Sequence, residues 1–363
     1  MDFPFFNGRR KRLDQVVVID LGSRTSKAIH VQRKGESFAL LGFAIQDAPI
    51  SEKAPSPDLL AEHFKSLNQA LGAKTRSAVL TVGVSDSILR HAELPMVAPG
   101  DMRMVLKFNS KNYLQQDLPD HGFDCHPLPV RLAANAAATA AAGGKASDAG
   151  KSQKIRALVG GARNQLINDL SSAARIAGLT AEQITPGLVG PANAFELAHP
   201  DAFQKEVVAL VELGFKNSTI SILREGELAL TRVVAIGGDK LTQGLADTMS
   251  ISYAEAENIK VGMPDEVKSN LQLLVSPLGR ELRASIDFFE HQHDKTVGQV
   301  YVSGGAARAN CILELLQEEL MVPCKAWNPV GFMTPSLPPQ QLAELESAAP
   351  QLTVAVGAAV GAF

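Results

Sequence analysis

The hydrophobic positions of this chain fall into short continuous apolar runs and longer stretches spaced at helical period. Val16-Val17-Val18-Ile19 reads as a buried strand that enters the turn Asp20-Leu21-Gly22-Ser23 and returns as Ala28-Ile29-His30-Val31, a β-hairpin with a small, polar tip. Phe38–Phe43 and Ala78–Val82 read as further strands. Between them, Ser56-Pro57-Asp58 opens a helix running to Leu71, with Leu59, Leu60, Phe64, Leu67 and Leu71 near helical spacing. The same logic predicts a helix over Asp101–Leu118, a strand at Ile155–Val159 and a helix over Asn164–Ala177 that Gly178 ends. Residues 132–154, an alanine tract followed by Gly, Ser and Lys, have the composition of an elongated surface loop.

A length of 363 residues suggests about two domains, or one divided into lobes, with enough chain to bury a core unaided by disulfides or metals. No apolar run approaches the roughly 20 residues that cross a bilayer, and Leu352–Phe363, the most apolar stretch, is too short. A soluble protein is expected. The 35 basic and 38 acidic residues leave a net charge of −3, which argues against a nucleic-acid partner held by bulk electrostatics. Cys125, Cys311 and Cys324 are far apart in sequence and form no CxxC pair, as expected of separate thiols in a reducing compartment. Residues 1–14 form a leader with Phe3, Phe5 and Phe6 ahead of Arg9, Arg10, Lys11 and Arg12. It reads either as a tail for a membrane surface or partner, or as an unstructured lead-in to the first strand.

An internal echo carries the chemistry. Val17-Val18-Ile19-Asp20-Leu21-Gly22-Ser23 is answered by Ala209-Leu210-Val211-Glu212-Leu213-Gly214-Phe215, and the second copy continues through Asn217-Ser218-Thr219 into Ile220–Leu223. Two such hairpins facing one another across a cleft suit a polyphosphate. Their backbone N–H groups would cradle its oxygens where glycine permits close approach. Asp20 and Glu212 would hold Mg²⁺, mainly through its waters. Ser23, Thr25, Ser26 and Ser218 offer hydroxyl donors, while Arg24, Lys27 and Lys216 offer charge. Val300-Tyr301-Val302-Ser303-Gly304-Gly305 delivers a Gly-Gly turn before the helix Asn310–Leu320, a place for a flat ligand such as adenosine. On a helical segment after Tyr253, Glu257 and Lys260 share a face. They are either ribose or purine contacts or a solvated ion pair. His291 and His293 read as an exposed helix end rather than a metal site.

The order of these motifs resembles the actin-like ATPase superfamily. Glu281-Leu282-Arg283-Ala284-Ser285-Ile286-Asp287-Phe288-Phe289-Glu290, then Val300–Ala306, Asn328-Pro329, Ile236-Gly237-Gly238 with Leu241-Thr242, and the closing Thr353-Val354-Ala355-Val356-Gly357 are similar to the PilM family of type IV pilus assembly proteins. The resemblance implies an α/β, duplicated ribonuclease H-like, actin-like fold of two lobes with a small extra α+β subdomain. The expected layout is 15–86 for the start of the first lobe, 87–183 for the insert, 184–205 and 340–363 for its return segments, and 206–339 for the second lobe. It also implies ATP or ADP with Mg²⁺, held by Asp20, Gly22, Ser23, Thr25, Lys27, Glu212, Gly214, Ser218, Gly238, Glu257, Lys260, Gly304 and Gly305. The implied partner is the N-terminal peptide of an inner-membrane, PilN-like protein, in a groove between the first subdomain and the insert. Pilus motor or alignment-complex proteins are further partners it implies. The implied location is cytoplasmic and peripheral to the inner membrane.

Two departures bear on chemistry. Glu212 stands where the superfamily usually has Asp, which moves the carboxylate further into the cleft. Gly190, before Pro191, stands where hydrolytic relatives carry a carboxylate, so slow or absent hydrolysis is expected. Two other superfamily readings compete. One is an FtsA-like divisome protein, for which the sequence offers no basic amphipathic tail. The other is a small-molecule kinase, for which Asp117, Asp120 and Asp124 are the available acceptor bases.

Overall fold

The computed structural model describes residues 13–50, 54–128, 154–308 and 310–363. The leader up to residue 12 and the loop from 132 to 153 lie outside them. The first sheet begins with an antiparallel meander of β1 (Gln15–Leu21), β2 (Thr25–Lys34) and β3 (Ser37–Asp47). On the other side of β1, β4 (Ser77–Val82) pairs with it in parallel, and β8 (Thr180–Pro186) pairs in parallel with β4. The short β14 (Thr334–Pro335) extends the sheet beyond β3.

The second sheet repeats this plan. β9 (Val207–Leu213), β10 (Ser218–Arg224) and β11 (Glu227–Val234) form the meander, β12 (Gln299–Ser303) runs parallel to β9, and β13 (Cys324–Ala326) parallel to β12. In both sheets the first strand of the repeat is central and fully flanked, which is why Val16–Ile19 and Val208–Val211 are continuous apolar runs buried on both faces.

Helix α1 (Pro57–Leu71) covers the first sheet with Leu60, Ala61, Phe64, Leu67 and Leu71. Ser56 caps its start by accepting from Leu59 N, and left-handed Gly72 ends it. Helix α2 spans Pro99–Leu114, shorter than the predicted 101–118, because Gln115 adopts φ 57° and turns the chain out of the helix. It lies on a third, antiparallel sheet of β5 (Ser87–Pro95), β7 (Lys154–Arg163) and β6 (His121–Pro127). Met102, Leu106 and Leu114 pack there on Leu94, Phe123 and Val159.

The insert therefore closes at Arg163, not at residue 183. Helix α3 (Asn164–Ile176) has one apolar face, Ile167, Leu170, Ala173 and Ala174, and buries it with α1 on the first sheet, which β8 then joins. The return to the first lobe likewise starts before residue 340, since β14 pairs with β3, and Trp327, Val330 and Met333 pack in the core shared by the first sheet and β9.

Helices α4 (Gly190–Ala198) and α5 (Pro200–Lys205) lead into the second lobe. There α6 (Gly238–Met249), α7 (Tyr253–Gly262), α8 (Lys268–His293) and α9 (Asn310–Leu320) cover the second sheet. The chain then returns through α10 (Pro339–Ala348) to α11 (Thr353–Ala362) on the first. Where the lobes meet, Phe195 packs edge-on against Tyr301 (4.7 Å) and Trp327 (5.3 Å). The insert is tied to the second lobe too. Arg156 donates to Glu227 over 2.7 Å, and the His91 ring meets the Leu228 carbonyl at 2.8 Å.

Candidate functional site

The ends of β1 and β9 bring their two hairpin turns to one cleft of about 400 Å³. Asp20, Gly22, Ser23, Thr25 and Lys27 line it from the first lobe, and Glu212 and Gly214 from the second. The turns share a geometry that only glycine allows. A Cβ on Gly22 would sit 2.4 Å from the Thr25 carbonyl oxygen, and one on Gly214 would sit 2.5 Å from that of Asn217.

Behind each turn a hydroxyl holds the carboxylate. Thr81, paired with Asp20 across β4 and β1, donates to Asp20 Oδ1 over 2.6 Å. Ser303, paired with Glu212 across β12 and β9, donates to Glu212 Oε2 over 2.6 Å. Thr81 carries no motif of its own and emerges only from strand register. Glu212 keeps part of its surface open, yet protein atoms crowd its carboxyl. Burial pushes its pKa up to about 7, with the charge of Asp20 adding to the effect while Ser303 and Lys27 oppose it.

The remaining predicted residues do not line that cleft but gather beside it. Ser218 is buried and donates to the Ile236 carbonyl (2.7 Å). The Gly238 N–H donates to the Gly214 carbonyl (2.9 Å), which ties the start of α6 to the second turn. Lys260 is 3% exposed. It donates to Thr242 Oγ1 (2.5 Å) and Glu257 Oε2 (2.7 Å), and Thr242 itself reaches Glu257 (2.6 Å). Lys260 is thus an interior, hydrogen-bonded cation, and Glu257 is half-buried beside it. Burial works against the Glu257 charge, but Lys260 and Thr242 outweigh it and hold the pKa below the ordinary value. Gly304 turns left-handed at φ 97° and donates to the Pro350 carbonyl (2.7 Å), with Gly305 following near Gln351. Ser26 Oγ is buried with no partner among the described residues.

Gly190 has a packing role. A Cβ there would come within 2.8 Å of the Val354 Cα and carbonyl oxygen, and one on Gly357 within 1.8 Å of the Gly190 oxygen. Helices α4 and α11 therefore cross backbone to backbone. Asp117, Asp120 and Asp124 lie in the insert and do not line the cleft, and Asp124 is buried accepting from Arg103 (2.8 Å). Among the described residues no three His, Cys, Asp or Glu come together as a metal cage. His293 ends α8 with its ring stacked on Phe289 at 4.5 Å. No helix of the described residues is long and apolar enough to cross a membrane.

Two sheets that share a five-strand order, each sending a carboxylate-bearing hairpin to a shared cleft, define an actin-like protein. MreB5 of Spiroplasma citri bound to AMPPNP superposes with a TM-score of 0.53 over 96% of both chains at 8% identity. The chain of a PilM–PilN type IV pilus biogenesis complex superposes with a TM-score of 0.78, covering 97% of this chain and 100% of that one at 20% identity. The family model for type IV pilus assembly protein PilM matches residues 145–363, and the chain belongs to the PilM family. Cell division protein FtsA of Bacillus subtilis is 28% identical over 117 residues, 31% of this chain and 24% of FtsA, so the match spans about a quarter of that relative's length.

Proposed function

We propose that this chain is a nucleotide-binding scaffold of a type IV pilus or related secretion machine, with weak or absent hydrolysis. The observation that carries this reading is the pair of hydroxyl-braced carboxylate turns on opposite walls of one cleft. Asp20, Gly22, Ser23, Thr25 and Lys27 would grip phosphate from one side and Glu212 and Gly214 from the other. The neighbouring group of Gly238, Glu257, Lys260, Gly304 and Gly305 would flank the nucleoside.

Asp20 and Glu212 are the residues that would hold Mg²⁺: the charge of Asp20 adds to the cost of charging Glu212, and a divalent cation there would relieve it. When bound, Mg²⁺ neutralises phosphate charge. Of the chain's own groups, Thr81 and Ser303 aim the carboxylates, and the glycine turns bring backbone close to the phosphates. No side chain at residue 190 orients a water. The AMPPNP held by the MreB5 structure favours the same reading.

The partner would be the N-terminal peptide of a PilN-like inner-membrane protein, which would draw the chain to the cytoplasmic face of that membrane. A pocket of about 330 Å³ between the first lobe and the insert, lined by Ser85–Ile88, Gln116, Leu118, His121 and Arg163, is the candidate groove. Ser87 Oγ and His121 Nδ1 are buried there without a partner among the described residues, as suits a peptide's polar groups. Pilus motor or alignment-complex proteins would act on the assembled pair.

Titration calorimetry of the full chain with ATP and ADP, each with MgCl2, tests the nucleotide half. Saturable binding that Asp20→Asn abolishes is expected, and heat identical to buffer for both nucleotides would overturn it. Fluorescence anisotropy with a labelled PilN N-terminal peptide tests the partner half.

A further inference from the structure

We infer that Arg24 is the residue through which the cleft distinguishes a nucleoside triphosphate from a diphosphate, an inference that rests on nucleotide binding as proposed above. Arg24 sits at the tip of the first turn, where its carbonyl accepts from Ala48 N (2.8 Å) and anchors the backbone. Its side chain crosses to the second lobe. The guanidinium carbon lies 5.1 Å from the centre of the Phe215 ring, and Nη1 lies 3.9 Å from Glu257 Oε1.

Both of these contacts are weak. A single cation 5.1 Å from the centre of a half-buried ring is held only modestly, and 3.9 Å is beyond hydrogen-bond reach. Glu257 already accepts from Lys260 and Thr242 at 2.7 and 2.6 Å, so Arg24 adds little to it. Lys216 Nζ is also 5.4 Å from the Phe215 ring but is committed to Asp239 at 2.7 Å. Lys27 donates to the Thr25 carbonyl at 3.1 Å. Of the three cations that line the cleft, Arg24 has a longer ion-pair distance than Lys216 and alone carries a planar fork suited to phosphate.

The cleft carries Asp20 and Glu212 as well, which oppose an added phosphate charge. A third phosphate therefore needs a cation that reaches in, and Arg24 exchanges Phe215 and Glu257 for it. Without that phosphate the side chain stays on the second lobe, and the diphosphate is held by the turns alone.

The test is calorimetric titration of the full chain with ATP and with ADP in MgCl2, for wild type, Arg24→Ala and Arg24→Lys. Arg24→Ala is expected to weaken ATP by ~10-fold and ADP by less than ~2-fold, with Arg24→Lys between, because it keeps charge without the fork. Hydrogen exchange of the nucleotide-free chain supplies a second readout. Arg24→Ala and Phe215→Leu should both speed exchange in the turn 214–217. Equal weakening of both nucleotides, or of neither, overturns the inference while leaving nucleotide binding in place. A wild-type chain that binds neither nucleotide overturns both.

Discussion

Ser303 braces Glu212 across parallel strands at 2.6 Å, and the relationship recurs between Thr81 and Asp20 at the same distance in the other lobe. The repeat thus includes the hydroxyl one strand away as well as the carboxylate. The two arms differ by one methylene, and Glu212 is the member whose pKa rises to about 7.

That shift gives a signed pH dependence for the nucleotide-free chain. An unfolded glutamate loses its proton near 4.5, whereas the folded one holds it to about 7. Charging Glu212 therefore costs stability progressively from pH 4.5 upward, and the full cost is present above 7. Glu212→Gln is expected to match wild type near pH 4 and to exceed it by about 2 kcal/mol at pH 8.5, the shift being discounted for residual solvent. Urea unfolding at the two pH values measures it. An equal gain at both would mean that Glu212 is not strained by charge.

Restoring a carboxylate at residue 190 is expected to damage the fold instead of conferring ATPase activity. Gly190→Asp places a Cβ against the Val354 backbone, and Gly357→Ala collides with the Gly190 oxygen. Each should cost about 3 kcal/mol or more from forced separation of α4 and α11. Thermal unfolding and phosphate release on the same samples decide the matter. A hydrolysing, fully stable Gly190→Asp protein would refute it.

Thr242 is the hub between Lys260 and Glu257. Thr242→Val keeps the shape and removes the hydroxyl, with an expected loss of about 1–3 kcal/mol. Thr242→Ser should recover most of it. Denaturant midpoints of the three chains provide the comparison.

The insert should also feel the second lobe. Arg156→Ala removes the guanidinium 2.7 Å from Glu227, a residue 5% exposed. We expect about 1–3 kcal/mol of destabilisation, with hydrogen exchange accelerated in β5 and β7 more than in β1. Uniform acceleration across the molecule would argue against a local tie.

Much of this was legible beforehand because buried central strands leave continuous apolar runs, and the carboxylate-x-Gly turns stand next to them. The hairpins at Asp20 and Glu212 were visible for that reason, as was α1 with its Ser56 cap. Thr81 was not, since a single hydroxyl in Ala78–Val82 acquires meaning only when β4 is set in register beside β1. Where the insert ends is a similar case. The apolar face of α3 says that it needs a sheet, but two sheets were available, and only packing against α1 selects the first. Glu257 and Lys260 look solvated when counted on one helix, and Lys260 becomes interior once Thr242 of α6 bonds it.

Helix α11 covers β1 and β4 and meets α4 at the Gly190–Gly357 crossing, and Arg33 donates to the Phe363 carbonyl at 2.8 Å. Strand β1 is therefore sealed by residues made more than three hundred positions later. During synthesis the first lobe must wait, with part of its apolar surface bare, while the second lobe is assembled in full. A nascent chain of this protein is expected to need shelter from a holdase longest over its first lobe.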